Sequence, residues 1–149
     1  LDAAHGSIRA MTVELLPFER ADLELLEPRE ELAAGRDMVL RYGLEWVYEG
    51  PYAYTLWHVS GVPLACAGVI PSTWEAWAFL GRQIDTWSAY LFTRYTAQYG
   101  LRPWVRDTGL PAIAYVDPAV SDAVKWVRVL GFEPTDEWKN SKRKWKFYA

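Results

Sequence analysis

The stretch AIAYVDPAVSDAVKWVRVLGF, residues 112–132, decides the fold. Ala112 to Val116 is a short apolar run of the kind that forms a buried strand. Asp117-Pro118 ends it, because proline cannot donate to a ladder. Ser121 stands where a helix N-cap is favoured. Ala123, Trp126, Val127 and Leu130 then recur at helical spacing and make one apolar face. Gly131 stops the helix, since glycine reaches the left-handed conformation that such an ending needs. A buried strand followed at once by a covering helix is a unit of an α/β domain.

Upstream, Asp85 or Thr86 can cap a second helix. Its stripe is Trp87, Tyr90, Leu91, Arg94, Tyr95 and Gln98, with Gly100 as the predicted stop. Glu75 to Leu80 predicts a strand closed by Gly81. Tyr52 to Val59 and Val62 to Ile70 predict a hairpin about Ser60-Gly61, ended by Pro71. Thr12 to Phe18 reads as a first strand, and Asp22 to Leu26 as a helical turn that Pro28 interrupts. Arg29 to Leu44 predicts a helix with Leu32, Val39, Leu40 and Leu44 on one stripe. Residues 1–11 lack periodicity and read as a tail, leaving one domain over 12–149. After Phe132, Trp138 and the alternating Lys144 to Tyr148 predict a terminal strand or hairpin. The class is α/β (α+β): a mixed, mostly antiparallel central sheet flanked by helices.

Composition narrows the function. The 149 residues suit one domain, and 51% hydrophobic content excludes a disordered chain. A net charge of -3 gives no general attraction to nucleic acid or to an anionic membrane. No stretch approaches the length of apolar chain that spans a bilayer. Cys66 is the sole cysteine, which excludes an intrachain disulfide and suits a reducing cytoplasm. His5, His58 and Cys66 lie too far apart for metal-ligand spacing. Cys66 reads as a small buried hydrophobe, and His58 as a structural strand residue. Nine tryptophans are many for this length, and the Trp87–Tyr99 helix, with Phe92 and Tyr99 widening its stripe, has more bulky residues than one core face needs, so it is either deeply buried or a contact surface for an oligomer or protein partner. The C-terminal Trp138, Lys139, Lys142, Arg143, Lys144, Trp145, Lys146 and Phe147 leave two readings open. They could contact phosphates and stack on bases. Alternatively, Trp145 and Phe147 pack inward while lysines protect a sheet edge.

This order of elements resembles the GNAT N-acyltransferase fold over residues 12–149, and Leu130-Gly131-Phe132 is similar to the helix ending common in that family. More narrowly, the runs at 68–71 (GVIP) and 75–81 (EAWAFLG), with the Trp-containing helix, resemble GNAT-like proteins of tailed bacteriophages related to the internal virion protein of T7-like phages. The resemblance implies the acyl-CoA N-acyltransferase fold, acetyl-CoA as cofactor, an amine as acceptor and direct transfer. It also implies a cytoplasmic place, which for a phage-encoded protein is the host cytoplasm or the virion.

A GNAT enzyme holds pyrophosphate on a loop of the form Arg/Gln-x-x-Gly-x-Gly/Ala that leads into a helix N-terminus. The corresponding stretch here is Gly81 to Ala89, so Phe79, Leu80, Gly81, Arg82 and Gln83 are the cofactor-binding candidates. Arg82 offers a phosphate contact. No glycine follows at the family's spacing, Asp85 brings a negative charge, and Trp87 is bulky. An ordinary turn capped by Asp85 is the competing reading. Many members carry a thiolate-protonating Tyr four residues before the closing glycine; here that position is Val127, and the adjacent Trp126 offers a donor but no acid. Glu75, between Trp74 and Trp77, is the candidate general base. Two functions stay open: an N-acetyltransferase, or a non-catalytic phage virion or accessory protein acting through protein contacts. They differ at the gap between strands 75–80 and 112–116. An enzyme needs it open, whereas Trp77 or Phe79 is expected to fill it.

Overall fold

A computed structural model describes residues 8–10, 12–30, 32, 36–37 and 49–149. Five strands form one antiparallel sheet in sequential order: β1 (Ile8–Ala10), β2 (Val13–Pro17), β3 (Tyr54–His58), β4 (Pro63–Val69) and β5 (Ala76–Leu80). Helix α1 (Arg20–Leu25) follows β2. A second antiparallel sheet has the order β6 (Ala112–Val116), β8 (Lys142–Phe147), β7 (Glu133–Lys139). Between the sheets in sequence run α2 (Thr86–Tyr95), a π-helical stretch Thr96–Leu101 and α3 (Arg102–Thr108). Helix α4 (Ser121–Leu130) follows β6.

The expected parallel element reduces, among the described residues, to one bridge between Glu75 and Ile113. There the Ile113 N–H donates to the Trp74 carbonyl at 2.8 Å. Beyond it the two sheets diverge instead of pairing.

Alternation along the central strands sorts the core. Cys66 and Phe79 pack with Phe18, Leu23 and Leu26 under α1. Ala65 and Ala67 pack with Leu91 and Phe92 under α2. The two helices therefore cover opposite faces of the five-stranded sheet. The Leu130-Gly131-Phe132 ending behaves as the sequence predicts. Gly131 is left-handed (φ 105), the Phe132 N–H bonds the Val127 carbonyl at 2.9 Å, and Val127, Leu130 and Phe132 enter a core with Trp145 and Phe147.

Several expectations are corrected. Gly100 does not stop its helix. Pro103 has no N–H for the Tyr99 carbonyl, and the turn before it widens, so that the Arg102 N–H reaches the Ala97 carbonyl five residues back. The helix ends at Gly109, left-handed at φ 68. The face of α2 that meets the sheet is Ser88, Leu91 and Phe92, while Trp87 and Tyr90 are 56% and 50% exposed. The sequence stripe straddled both faces. Ser121 is a helical residue and not a cap: Val120 holds the cap position, and the Asp117 carboxylate has already turned the chain by accepting the Ala119 N–H at 2.9 Å. Ile8–Ala10, read as tail, pair with β2. Trp145 and Phe147 do pack inward, each 3% exposed, yet β8 is the central strand of its sheet and β7 is an edge. The lysines of β8 therefore guard no edge. Of the predicted 29–44 helix, Val39, Leu40 and Leu44 lie outside the described residues.

Gly68 fixes one detail that positions the site. A Cβ there would stand 2.7 Å from the Ala53 Cβ and 3.0 Å from Cζ2 of Trp77, its cross-strand partner. The missing side chain lets the indole lie across β4, where Phe18 meets it edge-on at 4.8 Å. Gly68→Val is expected to destabilise the fold by about 1–3 kcal/mol through overpacking, measured by urea unfolding.

Candidate functional site

The site is built from two strand edges. On one side β5 pairs with β4: the Ile70 N–H donates to the Glu75 carbonyl (2.8 Å) and the Gly81 N–H to the Leu64 carbonyl (2.7 Å). Antiparallel alternation then turns the main-chain groups of Ala78 to the opposite edge. That edge is covered at both ends. The Ile113 N–H takes the Trp74 carbonyl, and the Arg29 N–H takes the Leu80 carbonyl at 3.1 Å. Between them the Ala78 N–H and carbonyl meet no partner among the described residues. Across the gap, β6 turns the main-chain groups of Tyr115 outward in the same way, because Ile113 two residues earlier faces β5.

A cavity of about 400 Å³ fills this opening, within the usual range of small-molecule sites. Val69, Ala78, Phe92, Tyr115, Trp126 and Val127 are among its wall residues. It reaches both faces of the sheet, with Ala76, Ala78 and Leu80 on the α2 side and Trp77, Arg29 and Leu32 on the α1 side. The expected plug is absent. Phe79 is turned into the core beneath α1, and Trp77 lies flat in the wall. Strand side chains stand perpendicular to the sheet, so neither can occupy a gap in the plane of the sheet.

The sequence-predicted residues are only partly brought together. Glu75 sits at the closed end of the gap, beside the Ile113 bridge. Its carboxylate is 3.9 Å from the Lys139 ammonium, and alternation puts it on the same face as Trp77. Trp74 before it has φ 65, a left-handed conformation costly for a bulky residue, which swings the chain into β5. Leu80 lines the cavity; Phe79 does not. Gly81 is needed for close approach, since a Cβ would meet the Leu64 carbonyl at 2.8 Å. Its N–H and that of Arg82, which donates to the Glu27 carbonyl at 2.8 Å, are both engaged within the protein. Gln83 borders a separate hollow with Glu27 and Pro63.

The Asp85 carboxylate caps α2, accepting the Ser88 N–H at 2.6 Å. That bond holds the carboxyl below its ordinary value, with further help from the Ser88 hydroxyl and His58. The N-terminus of α2 thus already carries an anion, as the capped-turn reading expects. The turn after β5 spends the Gly81 and Arg82 N–H groups inside the protein, and the exposed Arg82 guanidinium is the cation it offers.

No acid stands at Val127, which is buried in the wall. The neighbouring Trp126 N–H donates to the Thr93 hydroxyl at 2.8 Å, with the indole stacked on Phe92. Tyrosines supply hydroxyls elsewhere on the wall: burial pushes Tyr54 above its ordinary value, and burial together with a 3.0 Å bond to Asp107 does the same for Tyr52. His58 is structural, with Nδ1 accepting the Ser60 N–H. The sequence reading missed Ala78 and Tyr115, whose part is played by main-chain atoms that leave no mark in residue type. Cys66 is fully buried and burial pushes its thiol up. A disulfide reagent at pH 8 should leave it unmodified in the native protein and titrate one thiol in denaturant.

No family model and no curated protein sequence matches this chain. Solved structures do. An acetyltransferase from Agrobacterium tumefaciens is 12% identical, with a TM-score of 0.63 over 96% of this chain and 94% of that one. The GNAT domain of S. lividans PAT is 15% identical, with a TM-score of 0.58 over 97% of each chain. A GNAT-family acetyltransferase from Bacillus anthracis is 11% identical, with a TM-score of 0.57 over 94% of this chain and 95% of that one. The likeness shows that the fold is the GNAT acyl-CoA N-acyltransferase fold.

Proposed function

We propose that the chain is an acyl-CoA-dependent N-acyltransferase that moves an acetyl group from acetyl-CoA to an amine. The observation that carries this reading is the opening between β5 and β6, with an unpaired strand edge along a cavity that reaches both faces of the sheet. A passage of that kind lets donor and acceptor approach the same point from opposite sides.

The donor supplies an activated acyl carbonyl when bound. The edge of β5 around Ala78 pairs with the amide groups of its pantetheine arm, as a strand would. An edge N–H there, in a largely apolar enclosure, stabilises charge developing on the carbonyl oxygen. Glu75 takes the proton of the attacking amine, directly or through one water. A wall tyrosine hydroxyl, such as that of Tyr54, takes the place of a tyrosine at position 127 as the second proton donor. Leu80 contacts the arm and Arg82 meets the phosphates. Phe79 and Gly81 hold the strand end in shape, while Gln83 stands apart.

The open cavity favours catalysis over a contact role. Kinship with phage virion proteins, and the location it implies, rests on residues 68–71 and 75–81 of the sequence. No helix among the described residues is long and apolar enough to cross a membrane.

Calorimetric titration with acetyl-CoA tests the reading: micromolar binding is expected, and absence of heat at millimolar ligand would overturn it. Arg82→Ala should weaken binding. Asp85→Asn keeps a cap but removes the anion from the α2 N-terminus, so it should tighten binding about two- to fivefold. Glu75→Gln should lower kcat by roughly 10²–10⁴ with little change in donor affinity.

A further inference from the structure

The cavity does not stop at the gap between the strands. Pairing sets Ala67 of β4 opposite Ala78 of β5, and Val69 opposite Ala76, with all four in the cavity wall. Neighbouring strands lie about 4.8 Å apart, so Ala67 stands one strand behind the open edge. A donor arm lying along the edge of β5 leaves that recess free. Ala67, Ala76 and Ala78 make a floor of methyl groups on the α2 face. Above them stand Phe92 of α2 and Ala123 and Trp126 of α4, all in the same wall.

Small side chains and a fixed roof keep the recess open. The rings of Phe92 and Trp126 stack 6.3 Å apart with 2° between their planes. The Trp126 Nε1–H donates to the Thr93 hydroxyl at 2.8 Å, and that hydroxyl donates to the Ala89 carbonyl at 2.9 Å. The indole is therefore tied to α2 and held off the alanines. Its one polar atom is spent, so the two rings offer a ligand apolar surface and no hydrogen bond. An apolar group placed there recovers the contacts that a void lacks, whereas water finds few partners. Asp122, exposed in the first turn of α4, is the carboxylate among the described wall residues and opposes a negatively charged group.

We propose that this recess is an acyl pocket and that the preferred donor carries an aliphatic acyl group longer than acetyl, such as butyryl or hexanoyl, laid over Ala76 and Ala78 beneath Phe92 and Trp126. Calling the ligand a donor rests on the acyltransferase reading; the apolar pocket does not. A longer chain leaves the transfer itself unchanged. The amine nitrogen bonds the acyl carbon, the C–S bond breaks, Glu75 takes the amine proton, and the sulfur leaves as the thiol with a proton from the wall. The chain only has to turn away from the gap and over β5, where the side chains are small enough to let it pass.

The test titrates the full chain by calorimetry, without amine, with free CoA and with acetyl-, butyryl-, hexanoyl- and octanoyl-CoA. Affinity should rise about two- to fourfold for each methylene beyond acetyl until the recess is full. Succinyl-CoA, whose chain is as long as butyryl but ends in a carboxylate, should bind no tighter than acetyl-CoA. Ala76→Leu and Ala123→Leu fill the recess from two different elements. Each should bring hexanoyl-CoA down to the affinity of acetyl-CoA while acetyl-CoA itself is unaffected, and either variant suffices if the other fails to fold. Equal affinities along the series, or a gain with length that both filled variants retain, would overturn the proposal. Initial rates with a panel of amines separate the two readings. A length preference without transfer to any amine keeps the pocket and removes the acyltransferase; transfer of acetyl without a length preference does the reverse.

Discussion

The Ile113 N–H bonded to the Trp74 carbonyl joins the edges of two sheets that otherwise pair only within themselves. It acts as the apex of a wedge. Had the ladder continued from Glu75 to Leu80, the eight described strands would form one continuous sheet with no gap between β5 and β6. At its far end the edge of β5 is captured by the Glu27–Arg29 segment, while β6 pairs with β8 on its other side. The cavity is thus a consequence of interrupted hydrogen bonding, and its most reactive surface is unpaired backbone.

That origin lets the gap keep its shape whatever side chains stand around it. The turn after β5 engages the Gly81 and Arg82 N–H groups internally, and α2 is capped by Asp85. Both features stabilise the turn and both remove attraction for phosphate. The strand edges are untouched by these changes, since a main-chain N–H at position 78 is present whatever residue stands there. Hydroxyls likewise reach the cavity from several elements: its described wall carries four tyrosines, Tyr52, Tyr54, Tyr95 and Tyr115.

Local punctuation was legible where one residue decides one conformation. Gly131 ends α4 left-handed, Asp85 caps α2, and the apolar face of α4 meets the core. Errors arose where two signals competed. Gly100 looked like a stop, yet Pro103 follows three residues later in a segment whose burial holds it helical, and the conflict resolves as a π turn. The aromatic stripe of α2 was read one face too wide, because Trp87 and Tyr90 stack on each other in solvent at 5.5 Å and Arg94 lies over Tyr90. Periodicity registers that column and the core face alike.

The α/β class, the strands from β2 to β6 and the core-facing residues of α4 were determined by the sequence alone, because each follows from spacing within a short window. Glu75, read as the head of a strand, directly precedes β5 and bridges to Ile113. The gap and the residues that line it from both sheets were decided only by tertiary structure. They depend on which strand edges find partners, and edge pairing links residues as distant as Trp74 and Ile113 or Arg29 and Leu80 through atoms that every residue possesses. Side-chain identity cannot encode where a main-chain bond is left unmade; only the packing of both sheets does.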